Sequence, residues 1–240
     1  MAQVHIIGLG RVGKALTLAH ENAKDEVCES APTVVFAVPD DKLSDAVTEY
    51  AAHHSCKDKF VVHVSGIHGL EVLQPAADSG AAVAALHPIM QFVDPETDVE
   101  NIKSSYVSCS GNKDAQARSL KLIASWGAQM IVFDGSVDRR QYHLALSLAS
   151  NHVTGLMAWA NELLAPALGV HSSEVVAQMA ARAVSAASDD NPISSLTGPV
   201  ARGDAQTIAQ HLQVLNEQQQ QRYAGLLLNL QALVDERNNG

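Results

Sequence analysis

Three polar side chains in the second half of the sequence are spaced so that they could act on one substrate. His143, Ser147 and Asn151 follow one another at intervals of four residues, which places side chains on one face of an α-helix. Imidazole titrates near neutrality, so His143 is suited to donate a proton to a carbonyl group, with Asn151 holding the oxygen and Ser147 beside the substrate. A buried hydrogen-bond network that contacts no substrate is the alternative interpretation.

A glycine-rich segment near the N-terminus has the spacing of a phosphate-binding loop. Gly8, Gly10 and Gly13 form a G-x-G-x-x-G motif between an apolar run and a helical pattern. In that context the glycines allow a tight turn, close approach of a pyrophosphate, and close packing of helix on strand. The helix start favours bound phosphate, so Arg11 and Val12 are predicted to contact the cofactor as well. A tight turn without a ligand is the alternative.

Polar residues also follow three later apolar runs. Ligands of open parallel sheets bind beyond the carboxyl ends of the strands, so these residues are expected to face one crevice. Val38, Pro39 and Asp40 are predicted to contact the cofactor, and Ser65 to position the substrate. His87 is either a second acid–base group or a structural hydrogen-bonding residue.

These residues require strands and helices that alternate along the first half of the chain. Short apolar runs between helical patterns predict an α/β Rossmann-type parallel sheet with helices on both faces. The predicted strands are Val4–Ile7, Thr33–Val38, Phe60–Val64, Ala82–Leu86, Tyr106–Cys109 and Met130–Phe133, and the predicted helices are 12–22, 43–52, 68–77 and 113–126.

The second half is predicted to be all-α. Helices are expected from 139 to about 164 with Asp138 as N-cap, from 172 or 173 to before Asp190, and from Asp204 onward. The apolar positions of the last helix suit packing within its own domain or against a second copy. The predicted domains are therefore 1–135, which binds a dinucleotide, and 136–240, which serves the substrate and dimerisation.

One part of the usual dinucleotide-binding fold has no room in this sequence. A second strand that ends in a carboxylate normally lies about 20 residues after the glycines. Only one helix fits between Gly13 and Thr33, and Glu29 is the sole carboxylate near that distance. Strands 2 and 3 are thus predicted to be absent, which puts the first strand at the sheet edge and counts against tight NAD or NADP binding.

A turn-rich segment precedes the last helix. Within Thr197–Asp204, Arg202 could bind a substrate carboxylate or phosphate through two hydrogen bonds, or tie the loop to a carboxylate of its own domain. The histidines 63, 68 and 87 match no familiar spacing of metal ligands, so no metal site is predicted.

Composition limits the partners. With 16 basic and 26 acidic residues the net charge is −10, which disfavours nucleic acid and anionic membrane surfaces. No apolar run approaches the roughly 18 residues of a membrane helix, and no signal peptide is visible. The three cysteines stand far apart, as is usual in a reducing compartment. These features predict a cytoplasmic protein whose partner is a small molecule.

Several motifs in a fixed order resemble one known family. They are Gly8-Leu-Gly-Arg-Val-Gly13, Val38-Pro-Asp-Asp41, Val64-Ser-Gly66, Leu86-His-Pro88, Tyr142-His143, Ser150-Asn151 and Leu196-Thr-Gly-Pro-Val-Ala-Arg-Gly-Asp204. The chain resembles bacterial Rossmann-like proteins with a C-terminal helical domain of unknown function. That family is similar to the 6-phosphogluconate-dehydrogenase-like group, which includes ketopantoate and pyrroline-carboxylate reductases.

The resemblance implies an NAD(P) domain, a helical domain that forms a homodimer, and a substrate cleft between them. Reductases of the group often carry a lysine where Ser147 stands, which leaves His143 as the candidate acid. The resulting hypothesis is an oxidoreductase that reduces a small carbonyl or imine. The alternative is a non-catalytic binding protein for a smaller phosphate-bearing ligand or a protein partner.

Overall fold

The computed structural model describes residues 3–133, 135, 137–188 and 192–239. The chain divides into two compact units, Met1–His152 and Val153–Gly240, hereafter the sheet unit and the helical unit. The helix that carries His143 therefore belongs to the sheet unit. The domain boundary predicted after residue 135 stays a prediction, since its neighbours Asp134 and Ser136 lie outside the described residues.

The sheet unit contains a seven-stranded sheet of order β2-β1-β3-β4-β5-β6-β7. The strands are β1 (Gln3–Ile7), β2 (Glu26–Val27), β3 (Thr33–Phe36), β4 (Phe60–His63), β5 (Ala82–Pro88), β6 (Tyr106–Ser110) and β7 (Gln129–Val132). Helices α1 (Arg11–Asn22), α2 (Asp40–His53), α3 (Gln74–Asp78), α4 (Pro95–Asn101), α5 (Lys113–Ser125) and α6 (Arg139–Ser147) belong to the same unit. The predicted Rossmann-type sheet is confirmed.

One strand pair departs from the parallel sheet that the sequence predicted. β5 and β6 run antiparallel, with His87 opposite Ser108 and Ala85 opposite Ser110. The connection between them contains α4, whose seven residues rise only about 10 Å. A seven-residue strand spans about 23 Å, so α4 cannot return the chain to the other end of the sheet. The chain therefore re-enters the sheet in the opposite direction.

The second strand of the usual fold is present, which corrects the prediction of its absence. β2 pairs in parallel with β1 through Gln3 and Glu26 and through Val4 and Val27, so β1 is not an edge strand. Two residues are too few to produce a periodic pattern, which explains why the sequence did not reveal it. The next strand, β3, pairs with the other side of β1, and no third strand extends this edge within the described residues.

A buried histidine anchors the turn that leads into β2. The side chain of His20 is fully buried, with Nδ1 3.1 Å from Oδ2 of Asp25. Its Nε2 accepts a hydrogen bond of 2.9 Å from the indole N–H of Trp126. The imidazole is therefore neutral and carries its proton on Nδ1. This arrangement joins the end of α1 to the end of α5 and fixes where the short strand begins.

The core of the sheet unit lies on both faces of the sheet because strand residues alternate between them. Val35 and Val62 belong to one apolar cluster with Leu16 and Trp126. The other cluster contains neighbours of these strand residues together with Leu43 and Tyr50 of α2. The predicted helix from 68 to 77 is shorter than expected, since a 3₁₀ turn begins only at Glu71, and α4 was not predicted.

The helix that begins at Arg139 is interrupted, whereas the sequence predicted one continuous helix to about Leu164. Asp138 is its N-cap, as predicted, and accepts a hydrogen bond of 2.9 Å from the backbone N–H of Arg140. Residues Leu148–His152 form a π-helical turn between α6 and the next helix. π turns often occur at functional sites, and neither Gly nor Pro marks this one in the sequence.

The helical unit contains α7 (Val153–Leu168), α8 (Ser172–Ala186), α9 (Ala205–Gln213) and α10 (Glu217–Asn239). Asp204 caps α9 as predicted, accepting a hydrogen bond of 3.0 Å from Thr207 N–H. The predicted last helix is two helices, because Asn216 and Gln219 each accept a bond from the other's backbone N–H and start α10 anew. The second helix begins at Ser172 and ends at Ala186, before Asp190, as predicted.

The helical unit also contains part of an unusually apolar stretch. By length and composition alone, the stretch Arg139–Ala186 contains an 18-residue window that could cross a membrane, with a mean hydropathy of 1.2. This corrects the prediction that no run of that kind exists. None of its apolar window is buried within the single chain.

Candidate active site

The glycine loop has the geometry that phosphate binding requires. Gly8 adopts φ +100°, a conformation that side chains disfavour, and a Cβ there would lie 2.6 Å from the carbonyl oxygen of Ala37. A Cβ at Gly13 would overlap the carbonyl oxygen of Gly8. At Gly10, by contrast, a Cβ would meet no atom within 4 Å. Gly8 and Gly13 therefore serve the packing of the loop, while Gly10 leaves open space above the backbone.

The start of α1 is suited to an anion. Gly10 is its N-cap and offers no side-chain cap, and the first turn contains no acidic residue. The Gly10 carbonyl accepts the N–H of Lys14, so the N–H groups of Arg11, Val12 and Gly13 have no acceptor within the helix. Together with the helix dipole, these groups fit a pyrophosphate.

The adenosine side of such a cofactor has less support. β2 is two residues long, and its last residue, Val27, is 37% exposed. Glu29 follows it by two residues, near the place where a ribose-binding carboxylate is expected. The start of α1 thus suits the phosphates of a dinucleotide. The adenosine half would be supported, among the described residues, by the single short strand β2.

A cavity of about 360 Å³ lies at the carboxyl end of β5, within the sheet unit. Its wall combines the helix face of His143, Ser147 and Asn151 with His87 and Arg11. Apolar side chains complete it, among them Ile89, Met90, Phe92, Val93 and Leu146. No acidic side chain is among the described residues that line it, although the chain carries a net charge of −10.

The structure brings five of the predicted site residues together in this cavity. The amide of Asn151 lies 3.5 Å from the Ser147 hydroxyl and 3.4 Å from the amide of Gln91. Gln91 was not predicted, because it stands three residues beyond the end of β5 and belongs to no periodic pattern. Arg11 joins the cavity to the glycine loop.

Ser65 lies outside the cavity wall and has a different set of contacts. It is buried, its backbone N–H donates to Nδ1 of His63, and its hydroxyl accepts from the backbone N–H of His68. Nε2 of His63 donates to the Gly69 carbonyl at 2.8 Å. Burial lowers the pKa of His63 to about 4, so the ring is neutral and holds the loop from Ser65 to Gly69 in shape.

The remaining predicted residues lie elsewhere. Val38 is half-buried, and Pro39 and Asp40 are exposed at the start of α2, where the Asp40 carbonyl lies 3.2 Å from Nε2 of His68. Arg202 is exposed in the helical unit. No group of three or more His, Cys, Asp or Glu among the described residues is placed to hold a metal ion.

Behind the cavity the structure places a polar cluster that the sequence analysis missed. Nδ1 of His87 lies 2.7 Å from the Tyr142 hydroxyl, which is 3.5 Å from the Ser108 hydroxyl. Arg139 is 9% exposed and donates from Nη2 to the Ser110 hydroxyl at 2.9 Å and to the Ala85 carbonyl at 3.3 Å. The spacing 139, 142, 143 marks one face of a helix, which was the available signal.

Comparison with known proteins places the chain in a family. A family model described as a Rossmann-like domain matches residues 23–88, and one described as Domain of unknown function (DUF2520) matches residues 105–229. No curated protein sequence matches the chain. The two family matches confirm the resemblance that the motifs indicated.

Solved structures share the fold over nearly the whole chain. A Bacteroides fragilis protein provisionally assigned as an NADP oxidoreductase is 16% identical, with a TM-score of 0.78 over 96% of this chain and 98% of that one. Protein TM1727 of Thermotoga maritima is 18% identical, with a TM-score of 0.72 over 98% and 99%. Plasmodium falciparum pyrroline carboxylate reductase, solved with NADP bound, is 13% identical, with a TM-score of 0.60 over 98% and 96%.

Proposed function

We propose that this chain, which belongs to the family described as Domain of unknown function (DUF2520), is an NAD(P)-dependent oxidoreductase that reduces a small carbonyl or imine substrate. The observation that carries the proposal is that the glycine loop and the cavity adjoin each other. The glycine loop fits a pyrophosphate, and Arg11 of that loop also lines the cavity with His87 and His143. A nicotinamide cofactor supplies a hydride when bound.

The residues of the cavity have complementary roles in this proposal. His143 gives the substrate a proton, and Asn151, with Ser147 and Gln91 beside it, holds the substrate oxygen or nitrogen. Ser65 acts through the loop that it shapes, and Arg202 stays a candidate for binding a substrate anion. Apolar walls exclude water from the reacting atoms.

The likeness to solved structures supports the reaction class. Two of the three similar proteins are described in terms of NADP, one of them with the cofactor bound. The short adenosine edge favours a second candidate, a binding protein for a smaller phosphate-bearing ligand. The two candidates differ in which nucleotides they bind.

Calorimetric titration with NADH, NADPH, NMNH and ADP tests the proposal. Micromolar binding of NADPH or NADH supports the oxidoreductase, whereas binding of ADP or NMNH without either dinucleotide supports the second candidate. Gly10→Asp places a carboxylate in the open space above the loop, so the affinity for NADPH is expected to fall at least about 100-fold. Unchanged affinity in this variant would remove the glycine loop from the site. Gly225→Asp, on exposed α10, is the control.

A matching test addresses catalysis. His143→Gln retains a polar side chain of similar reach but cannot carry the transferred proton, so turnover with any accepted substrate is expected to fall about 100-fold. His171→Gln, at an exposed position just before α8, serves as control. Unaltered turnover in His143→Gln would rule out the proton-donor role.

A further inference from the structure

Two elements face each other across the back of the cavity. On α6 the inward residues are Arg139, Tyr142 and His143, three and four positions apart. On the sheet, His87 and Ser108 are paired and point to one face, because β5 and β6 alternate their side chains. His87 thus lies between the Tyr142 hydroxyl on one side and the open cavity on the other.

The hydrogen bond between Tyr142 and His87 fixes which ring nitrogen carries the proton. The two atoms are 2.7 Å apart, which is the length of a strong bond from a hydroxyl. A phenol is a more acidic donor than neutral imidazole, and imidazole nitrogen is a better acceptor than a phenol oxygen. The other acceptor of the phenol proton among the described residues, the Ser108 hydroxyl, is 3.5 Å away. The proton therefore belongs to the shorter contact: Tyr142 donates to Nδ1, and the proton of the neutral ring resides on Nε2.

Nε2 of His87 lies beside the ring of His143, the other histidine of the cavity wall. A Cβ at Gly66 would lie 2.8 Å from this atom and 2.9 Å from Cδ2 of His143, so Gly66 keeps the space beside both rings clear. Among the described residues Nε2 has no hydrogen-bond partner. A molecule bound in the cavity would therefore meet the Nε2–H of His87, which has no partner among the described residues and is held in a fixed orientation.

Burial keeps the ring of His87 neutral. It lowers the pKa of His87 to about 4, the neighbouring His143 and Arg139 act in the same direction, and the carboxylate of Asp40 acts against them. Arg139 forms no ion pair among the described residues, although the carboxylate of Glu71 acts on it from a distance, and its buried Nη1 donates to no acceptor there. Burying such a cation is costly, and its field favours negative charge nearby.

We infer that this cavity is built for a carbonyl substrate, whose oxygen becomes negative during reduction, rather than for a protonated imine. The inference rests on the proposed function and narrows it. His87 donates its Nε2–H to the carbonyl oxygen, and Tyr142 and Arg139 are positioning residues that set its tautomer and the local field. In the step itself, a bound reduced nicotinamide would supply the hydride to the carbonyl carbon, the C=O π bond would break, and the oxygen would take the proton from His143.

The same features disfavour an imine. A protonated imine is a cation without a lone pair on nitrogen, so it cannot accept the Nε2–H bond. It would also lie beside the guanidinium of Arg11, with Arg139 behind the wall and no carboxylate among the described residues that line the cavity. Asp40 acts on His87 from outside that wall. Fixed dipoles and charges of this kind discriminate strongly in a site that excludes water.

The tautomer is measured without any substrate. Nitrogen-detected NMR of the histidine rings at pH 7.5, with His87 assigned by its loss in His87→Asn, is expected to show a neutral ring protonated on Nε2. Tyr142→Phe is expected to give a mixture of tautomers, while Tyr106→Phe, at an exposed position of β6, leaves the signals unchanged. A ring protonated on Nδ1, or on both nitrogens, would overturn the inference.

The charge preference is measured with two probes of matched size, cyclopentanecarboxylate and cyclopentylammonium. In titrations of the whole protein, the carboxylate is expected to bind at least about tenfold more tightly. Arg139→Met is expected to reduce this preference several-fold, and Arg118→Met, on exposed α5, to leave it intact. Equal or tighter binding of the ammonium probe, or no binding of the carboxylate, contradicts the inference.

Both measurements are made with and without NADPH. If NADPH does not bind, the proposed function fails, whereas the tautomer and the probe preference still decide how the cavity is polarised. If NADPH binds and the ammonium probe is preferred, the oxidoreductase proposal stands and the carbonyl assignment is wrong.

Discussion

The sheet unit and the helical unit differ in how much of their own apolar surface they cover. The sheet unit holds two buried clusters, one on each face of its sheet. In the described part of the helical unit the buried apolar residues are only Val176, Val200, Leu215 and Val234. A unit that leaves most of its apolar side chains in water gains little stability from burial. The comparison shows that one unit has its own core, while the other leaves much of its apolar surface uncovered within the single chain.

The uncovered surface of the helical unit includes a groove. An apolar cavity of about 460 Å³ is lined by α7, α9 and α10, with Leu156, Leu163 and Val214 at 43%, 48% and 78% exposure. A second copy of the chain would cover this groove with the same surface, as two-fold symmetric dimers do. We therefore propose a homodimer formed through the helical unit.

The largest expected effect is loss of this dimer. Leu156→Glu combined with Leu163→Glu places two carboxylates in the groove, so light scattering is expected to fall from twice the mass of one chain to the mass of one chain. Val170→Glu, at a 90% exposed position outside the groove, should remain dimeric. If the wild-type protein has the mass of a single chain, the helical unit does not form the proposed dimer.

An intermediate effect concerns acid stability of the sheet unit. The pKa of His63 is about 4 in the folded protein, against an ordinary value of 6.5, so the unfolded chain binds the proton more tightly. His63 therefore does not lower the free energy of unfolding above pH 6.5. As the pH falls from 6.5 toward 4, this free energy drops by about 3 kcal/mol in all. Urea unfolding of wild type and His63→Gln across this range should show a smaller acid loss in the variant. His53→Gln, at the exposed end of α2, should behave as wild type.

The smallest expected effect is a gain in stability of the sheet unit. Arg139→Met removes a buried, unpaired guanidinium, whose desolvation costs several kcal/mol, and gives up hydrogen bonds worth about 1–3 kcal/mol. The free energy of unfolding is therefore expected to rise by about 1 kcal/mol. Denaturant titration measures it, with Arg118→Met as the neutral comparison. A clear loss of stability would mean that Arg139 contributes to the core rather than to the cavity.

Much of the fold could be predicted because its signals are local. The G-x-G-x-x-G loop, the apolar runs of β3 and β4, and the caps Asp138 and Asp204 are each visible within a few residues. β2 was not predicted because Glu26–Val27 is too short to show alternating apolar and polar residues. Its formation depends on pairing with β1 and on the contacts of His20. The antiparallel direction of β6 was not predicted because it depends on how far the connection from β5 reaches in space.

The site was predictable to the extent that it follows helix spacing. His143, Ser147 and Asn151 line one cavity, as their intervals suggested. Tyr142 and Arg139 lie on the same helix, but their importance depends on His87 and Ser110, which belong to strands far away in the sequence. Such partners become visible only when sheet and helix are assembled.

The π turn between α6 and α7 lets the helix hold an extra residue without moving the site. A π turn holds one residue more than the α-helical turn that it replaces. Removing Ala149 would restore regular winding and leave Asn151 seven residues after His143, which is about two turns of an α-helix. Both side chains would still face the same wall, so this helix can change its length by one residue without separating them.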